Sequence, residues 1–489
     1  MLESISTTSL SSPIKLAEWS PKMDIIAITY HDAPETIELR RMDWTKVNSI
    51  TLDYQATVIC YTPNGRMICV GTADNKLQLF GIEDCKVISS MVFDNEITAV
   101  SIDECNEISI TAVGFADGTV SLFSDFHFAL CQYHLIQPAI KITLCDTEVF
   151  LLHEDHQNVS HFSITFIESD SALIKSTSKA FSSYWMHYHT IDNAVNKLNE
   201  RWNQIWEESA SFTSHNEDIA RCFLLGKNPP ELSTEVHITR ISKSIAHEFS
   251  EIQNLLANDI IPSFIELDKT IEQIKAAIEM SSKLDISLYF DSSKSQIQNC
   301  LTMMENFRRL SNCFNALFGY LLNPASVISE LAKANVSTNE FTDFLINYFH
   351  KFDLLDISIG QSPESKPIFE ATHKADILLP ARFSNVSKEK CSCIGQTLSV
   401  YDLKEQEETT YQVSGQPLAA YPFSDGCVGC FFESGGSVYF KMFEDENESQ
   451  AEVSLEDSAV FFISPRRIAL VQSTEMFASV VDLEIPEDE

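Results

Sequence analysis

Apolar residues near the start of the chain come in short runs separated by turn-forming residues. Ile25–Ile28, Met67–Val70, Leu77–Phe80, Ile97–Val100 and Val120–Phe123 are four residues each, and Pro63-Asn-Gly65, Ala73-Asp-Asn75 and Asp117-Gly118 fall between them. Short β-branched or aromatic runs bounded by Asn-Gly and Asp-Gly predict antiparallel hairpins from about Pro13 to Ile167. A repeat runs through them. Gly71, Asp74, Leu79 and Phe80 recur at Gly114, Asp117, Leu122 and Phe123, each 43 residues on. That period in short strands is the mark of a four-stranded propeller blade, whose faces are buried only when blades stack around an axis.

The period then changes. After a Ser/Thr/Lys-rich stretch, Ser169 to Ser183, expected to be a linker, apolar residues recur at roughly 3.6-residue spacing to about Phe352. Ile191, Val195, Leu198, Trp202, Ile205 and Trp206 share one helical face. Ile241, Ile245, Phe249, Ile252 and Leu256 share a second, and Leu267, Ile271, Ile274 and Ile278 a third. The longest candidate helix is Ser293 to Leu322, with Ile297, Leu301, Met304, Phe307, Phe314, Leu317 and Leu321 inward, a rod of about 45 Å. Breaks at Asn228-Pro-Pro230 and around Ser281-Ser282 divide an up-down bundle, and a shorter helix, Thr338 to Phe349, follows.

From Ser365 to Leu483 strands return. Leu398–Tyr401, Cys427–Phe432 with Ser437–Phe440, and Phe461–Ile463 with Ile468–Val471 and Ser479–Val481 resemble further blades. Two half-rings would each leave open sheet edges, whereas one ring built from both ends leaves none. The expected fold is therefore mainly β plus α, a seven-bladed WD-like β-propeller interrupted by an inserted up-down helical bundle. Its parts are residues 1–183 with about four blades, 184–356 as the bundle, and 357–489 with about three blades and an acidic tail. The bundle is expected to leave and re-enter between neighbouring blades.

Composition narrows the function. With 34 basic and 70 acidic side chains, the net charge of −36 disfavours nucleic acid and anionic lipid as partners. Glycine, 14 of 489 residues, is too scarce to suggest glycine-cradled phosphate sites. The 13 scattered cysteines fit a reducing compartment, and no apolar stretch is long enough for a membrane span or signal peptide. A soluble intracellular protein is the expectation.

The chemistry-bearing residues form no constellation. Cys391, Cys393, Cys427 and Cys430 are spaced for buried strand positions rather than for aiming four thiolates at zinc. His153, His156 and His161 read as a strand end and polar hairpin loop; only convergence at a central pore would suggest a hydrolase. His187 and His189 suit packing at the start of the helical region, and the acidic run Glu444 to Glu448 reads as a solvated loop. Gly226-Lys227 is no phosphate loop, because residue 221 is Arg where that motif needs Gly. No enzyme activity, cofactor, metal or small-molecule substrate is expected.

The segment Pro13-Ile-Lys-Leu-Ala-Glu-Trp19-Ser-Pro21-Lys-Met-Asp24-Ile-Ile-Ala-Ile28 resembles the opening blade of the anaphase-promoting complex (cyclosome) subunit 4 family. Cys222-Phe-Leu-Leu225-Gly226-Lys227-Asn-Pro-Pro230-Glu-Leu232 looks like that family's helix-end motif, and Asn306-Phe-Arg-Arg309 to Phe318-Gly-Tyr320-Leu-Leu322 is similar to its long last helix. Leu225 and Gly319 replace tryptophans of the pattern, and a C-terminal extension frequent in the family is expected to be lacking. The resemblance implies a non-catalytic scaffold subunit of a cell-cycle ubiquitin ligase, in the nucleus and cytoplasm. Its implied partners are the platform subunits 1 and 5, the catalytic cullin-like subunit and the tetratricopeptide-repeat subunits. Trp19, Pro21, Asp24, Leu225, Gly226, Lys227, Phe318 and Tyr320 carry the family motifs and are the candidate partner contacts. The competing reading is a propeller-based trafficking or coat adaptor that recruits peptide motifs.

Overall fold

The computed structural model describes residues 4–213, 215–230, 234–280, 286–287, 293–348, 364–365, 367, 369–379, 382–387, 390–394, 397–403, 405, 407–423, 426–435, 437–444, 447–453, 458–464, 466–473 and 477–483. The helix break expected at Ser281-Ser282, the motif end at Glu231-Leu232, Phe349, Gly395, Gly436, the pair Asp445-Glu446 and the tail from residue 484 lie outside the described residues. The chain forms two compact units: Met1–Lys179 with Ser365–Glu489, and Ala180–Ser282 with Ile286–Glu364.

Among the described residues, the first unit holds seven antiparallel four-stranded sheets of the WD40-like blade kind. The first is Ile14–Trp19, Ile25–Tyr30, Thr36–Arg41 and Lys46–Thr51; the second is Ala56–Tyr61, Met67–Thr72, Lys76–Gly81 and Val87–Val92. The third is Ile97–Cys105, Ile108–Phe115, Thr119–Ser124 and Phe128–His134. The fifth begins at Arg382–Ser387 and ends at Glu407–Tyr411, and the sixth runs from Gln416–Pro422 to Asn447–Val453.

Two sheets are composites. The fourth takes Ala139–Cys145, Glu148–His153 and Asn158–Ser163 from before the helices and Thr372–Leu378 from after them. The seventh joins Ser458–Ile463, Ile468–Ser473 and Phe477–Asp482 to Ser4–Ser9. The helical insertion therefore leaves and returns within one sheet, not between neighbouring sheets as the pattern suggested. The ladder Val159↔Ile377, Ser160↔Asp376, His161↔Ala375 closes that sheet across it.

Every sheet repeats one irregularity. The first strand shifts register near its start, at Ile14/Leu16, Ala56/Val58, Ile97/Ala99, Ala139/Lys141, Phe383/Asn385, Pro417/Ala419 and Ser458/Val460. Such bulges add local twist to a strand. The 43-residue repeat carries others: pairing with the fourth strand shifts at Leu79/Phe80 and at Leu122/Phe123. The turns between second and third strands hold Asn75 and Gly118 in the left-handed region, again one period apart. Gly71 is required by packing, since an added Cβ would stand 2.7 Å from Val58 Cγ1.

Apolar side chains fill the spaces between successive sheets. Ile37, Leu39, Ile59 and Ile68 lie between the first and second, and Leu77, Ile102 and Val113 between the second and third. Phe150, Ile377 and Cys391 join the fourth to the fifth, Val400 and Phe432 the fifth to the sixth, and Phe440 and Val471 the sixth to the seventh. Ile26, Ile28, Leu470 and Val480 pack the seventh on the first. Third and fourth meet where Thr98 Oγ1 donates to Ala139 O at 2.7 Å and Tyr133 stacks on Phe162 at 4.3 Å.

A four-residue turn, α1 (Phe166–Ser169), precedes α2 (Ser171–Thr213). The stretch expected to be a Ser/Thr/Lys-rich linker is thus helical, and α2, at 43 residues, is longer than the 30-residue Ser293–Leu322. Ile174, Thr177, Ser178, Phe181 and Tyr184 are buried at helical spacing, so small hydroxyl residues sit on the inner face where apolar ones were sought. α3 (Asn216–Leu224) follows. α4 (Glu235–Asn254) is capped by Thr234, whose side chain accepts the His237 N–H. A wider π-helical stretch, Leu255–Ile260, joins α4 directly to α5 (Ile261–Met280). The second and third apolar faces therefore lie on one continuous rod. Pro262 lacks an N–H, and the wider turn just ahead of it accommodates the ring.

α6 (Ser293–Leu322), α7 (Val327–Lys333) and α8 (Thr338–Asp343) complete the unit. Trp202 meets Phe307 at 5.2 Å, and Trp206 and Phe249 meet Phe314 at 6.2 and 5.7 Å. On α6 the buried residues include Cys300, Met303, Phe307, Leu310, Phe314 and Leu317. Leu301, expected inside, is exposed.

Candidate interaction surfaces

The first motif holds two sheets together. Trp19 ends the first strand of the first sheet and is buried among Ile28, Leu470 and Val480. Its indole Nε1–H donates to Phe462 O of the seventh sheet at 3.0 Å. Pro21 lies in the following turn, where Ser20 Oγ accepts the Met23 N–H at 3.1 Å. Asp24 Oδ1 faces Arg466 Nη1 at 2.6 Å, again first sheet to seventh. That exposed pair adds little energy; the indole bond and its buried packing hold the seam.

The second motif ends a helix. The Gly226 N–H donates to Phe223 O at 3.1 Å and the Lys227 N–H to Cys222 O at 2.8 Å. With Gly226 at φ +62, this is the two-bond closure that a left-handed glycine permits. Gly226 thus stops a helix, whereas a phosphate loop starts one. Leu225 is exposed, as is Leu224 beside it. The last-helix motif meets this turn: Tyr320 Oη–H donates to Lys227 O at 2.8 Å, and its ring lies edge-on to Phe223 at 5.7 Å. Phe318 is elsewhere, buried against Phe212 and Phe314. The structure thus joins Leu225, Gly226 and Lys227 to Tyr320, joins Trp19 and Asp24 to the seventh sheet, and places Phe318 in the core.

The first strands of successive sheets bring charged groups together that the linear pattern did not flag. Glu18, Asp103 and Lys141 each lie within electrostatic range of Cys60, and Glu18 and Lys141 within range of each other. Solvent reaches Glu18, yet protein surrounds it; the loss of hydration pushes its carboxyl up to about 7, and Lys141 pulls the other way. Burial likewise pushes the Cys60 thiol up to about 12. Such thiols are poor nucleophiles.

His153 and His161 make contacts with different partners. His153 Nε2 pairs with Ser160 Oγ at 2.9 Å, Ser160 Oγ donates to Asp376 Oδ1 at 2.7 Å, and His373 Nε2 reaches the same oxygen at 3.1 Å. The hydrogen bond from Ser160, then that from His373, hold Asp376 below the usual carboxylate range, and burial lowers His153. His161 pairs with Glu148 at 2.6 Å, while His156 occupies a left-handed turn. This cross-ladder chain was invisible in the sequence, because Asp376 comes from beyond the insertion. His189 lies against Trp185 within α2, with ring centroids 3.9 Å apart.

The four cysteines Cys391, Cys393, Cys427 and Cys430 are spread over three cores. Cys391 and Cys393 share the space between the fourth and fifth sheets, Cys430 lies between the fifth and sixth, and Cys427 packs beside the sixth and seventh. Among the described residues no three His, Cys, Asp or Glu side chains converge as metal ligands, and no helix is long and apolar enough to cross a membrane.

Residues 17–106 match the family model described as the anaphase-promoting complex subunit 4 WD40 domain. The match runs from the first strand of the first sheet to the first hairpin of the third, and this stretch is an anaphase-promoting complex subunit 4-like WD40 region. No curated protein matches the chain.

Proposed function

We propose that the chain is a non-catalytic scaffold subunit of the anaphase-promoting complex, a cell-cycle ubiquitin ligase. In this reading the seven sheets form one seven-bladed propeller, and the helical insertion is a bundle that offers a second surface. Platform subunits 1 and 5 contact it, and it links them to the cullin-like catalytic subunit and the tetratricopeptide-repeat subunits in the nucleus and cytoplasm. The observation that carries the reading is the subunit 4 WD40 match over residues 17–106. Support also comes from the tie between the helix-end motif at Lys227 and the last-helix motif at Tyr320. A scaffold needs large contact areas rather than reactive groups, and the buried Cys131 thiol, pushed up to about 12 by burial, agrees with that.

The test is gentle affinity purification of the tagged full chain with mass spectrometry. The reading expects the cullin-like and tetratricopeptide-repeat subunits in near-equal amounts. A clean monomer, or recovery of vesicle-coat proteins instead, refutes it.

A further inference from the structure

The outer strand of the second sheet, Val87–Val92, differs from several of its counterparts. Its sequence, VISSMV, has no charged residue. Glu407–Tyr411 opens with two glutamates, Thr372–Leu378 carries Lys374 and Asp376, and Lys46–Thr51 opens with lysine. Charges on an outer strand discourage pairing with another chain, so their absence leaves this edge receptive.

The edge has the geometry for pairing. Phe93 N–H bonds inward to Asn75 O at 2.9 Å, and Val92 lies opposite Lys76 and Ser90 opposite Gln78. Antiparallel alternation then turns the backbone groups of Ser90 and Val92 to the open side. Among the described residues no strand pairs there. Ser89 bonds His127 and Met91 packs toward the third sheet, so Ser90 and Val92 present the opposite face. Val87, Ile88 and Val92 are 51%, 57% and 69% exposed.

The flanks select the partner. Exposed Glu83 and Asp84 precede the strand, and exposed Asp94 and Glu96 follow it, against the single base Lys86. We propose that this edge accepts an extended segment of a partner protein, β-branched in its middle and carrying Lys or Arg at both ends, as an added antiparallel or parallel strand. Backbone pairing supplies the binding, and the acidic brackets select for basic ends. The proposal stands on this strand and not on the assembly reading above.

The probe is a labelled soluble peptide of alternating valine and threonine with two lysines at each end, titrated onto the full chain by fluorescence anisotropy. Saturable binding that weakens with salt is expected. Ser90→Pro removes an outward N–H and leaves the inner ladder intact; Val92→Lys adds a repelling charge without touching the backbone. Each should weaken binding by about tenfold or more, as should glutamates in place of the peptide's lysines. Circular dichroism establishes that each variant folds. No saturable binding, or equal binding by a folded Val92→Lys chain, overturns the proposal. Reversible self-association abolished by Val92→Lys would assign the edge to a second copy and overturn it as well.

Discussion

Trp19 and Phe462, 443 residues apart in sequence, are joined by a 3.0 Å hydrogen bond from the indole to the backbone carbonyl. This bond fixes the first sheet to the seventh beside the pairing of Ser4–Ser9 with Phe477–Asp482. Trp19→Phe keeps a ring in the pocket but leaves the Phe462 carbonyl without its donor. The expected loss is about 1–3 kcal/mol of unfolding free energy, read as a lower urea midpoint. An unchanged midpoint would mean that water or a rearranged seam replaces the bond.

The N-terminal strand makes a separate prediction. Removing residues 1–9 should open the edge of Phe477–Asp482. Its amides that face Ser4–Ser9 should exchange with deuterium faster, on the order of tenfold, while those facing Ile468–Ser473 stay protected. Equal protection in the full and shortened chains would count against the pairing.

Gly226 predicts a small and specific cost. Nothing lies within 4 Å of a Cβ built there, so Gly226→Ala meets no clash. The left-handed backbone alone should cost about 1 kcal/mol, and Gly226→Asn less. Equal stability of all three by thermal unfolding would show that the turn readily adopts another conformation.

Glu18 makes stability depend on pH. Its carboxyl is pushed up to about 7 in the folded chain, above the usual value of 4.5, so the folded state holds the proton more tightly than the unfolded state. Its contribution is most favourable below pH 4.5 and is lost as pH rises through 7. Glu18→Gln should therefore leave stability near wild type at pH 4.5 and raise it at pH 8, on the order of 1 kcal/mol after screening by nearby water. Urea midpoints at the two pH values decide it; a variant less stable than wild type at pH 8 would show that the charge at Glu18 is favourable.

What could be read from the sequence was local. The 43-residue offset located the turn residues Asp74 and Asp117 and the strands holding Leu79–Phe80 and Leu122–Phe123, because a blade is encoded within its own span. Ser4–Ser9 escaped notice because SISTTS has no apolar run; its place depends on a partner more than 460 residues away. Thr372–Leu378 is likewise placed by its ladder to Asn158–Ser163, not by its own pattern. The start of α2 was hidden because Thr177 and Ser178 take core-facing positions. On α6, Leu301 and Met304 fit a helical stripe as well as Cys300 and Met303 do, and only packing decides between them. The motif residues were visible as types, but Trp19 and Tyr320 acquire their roles from partners distant in sequence.

Sedimentation of an unmodified native extract, with mass spectrometry of every fraction, tests the scaffold assignment most directly. The chain should travel with the cullin-like and tetratricopeptide-repeat subunits in one large particle. A peak at its own mass of 55.1 kDa, apart from those subunits, would contradict the assignment.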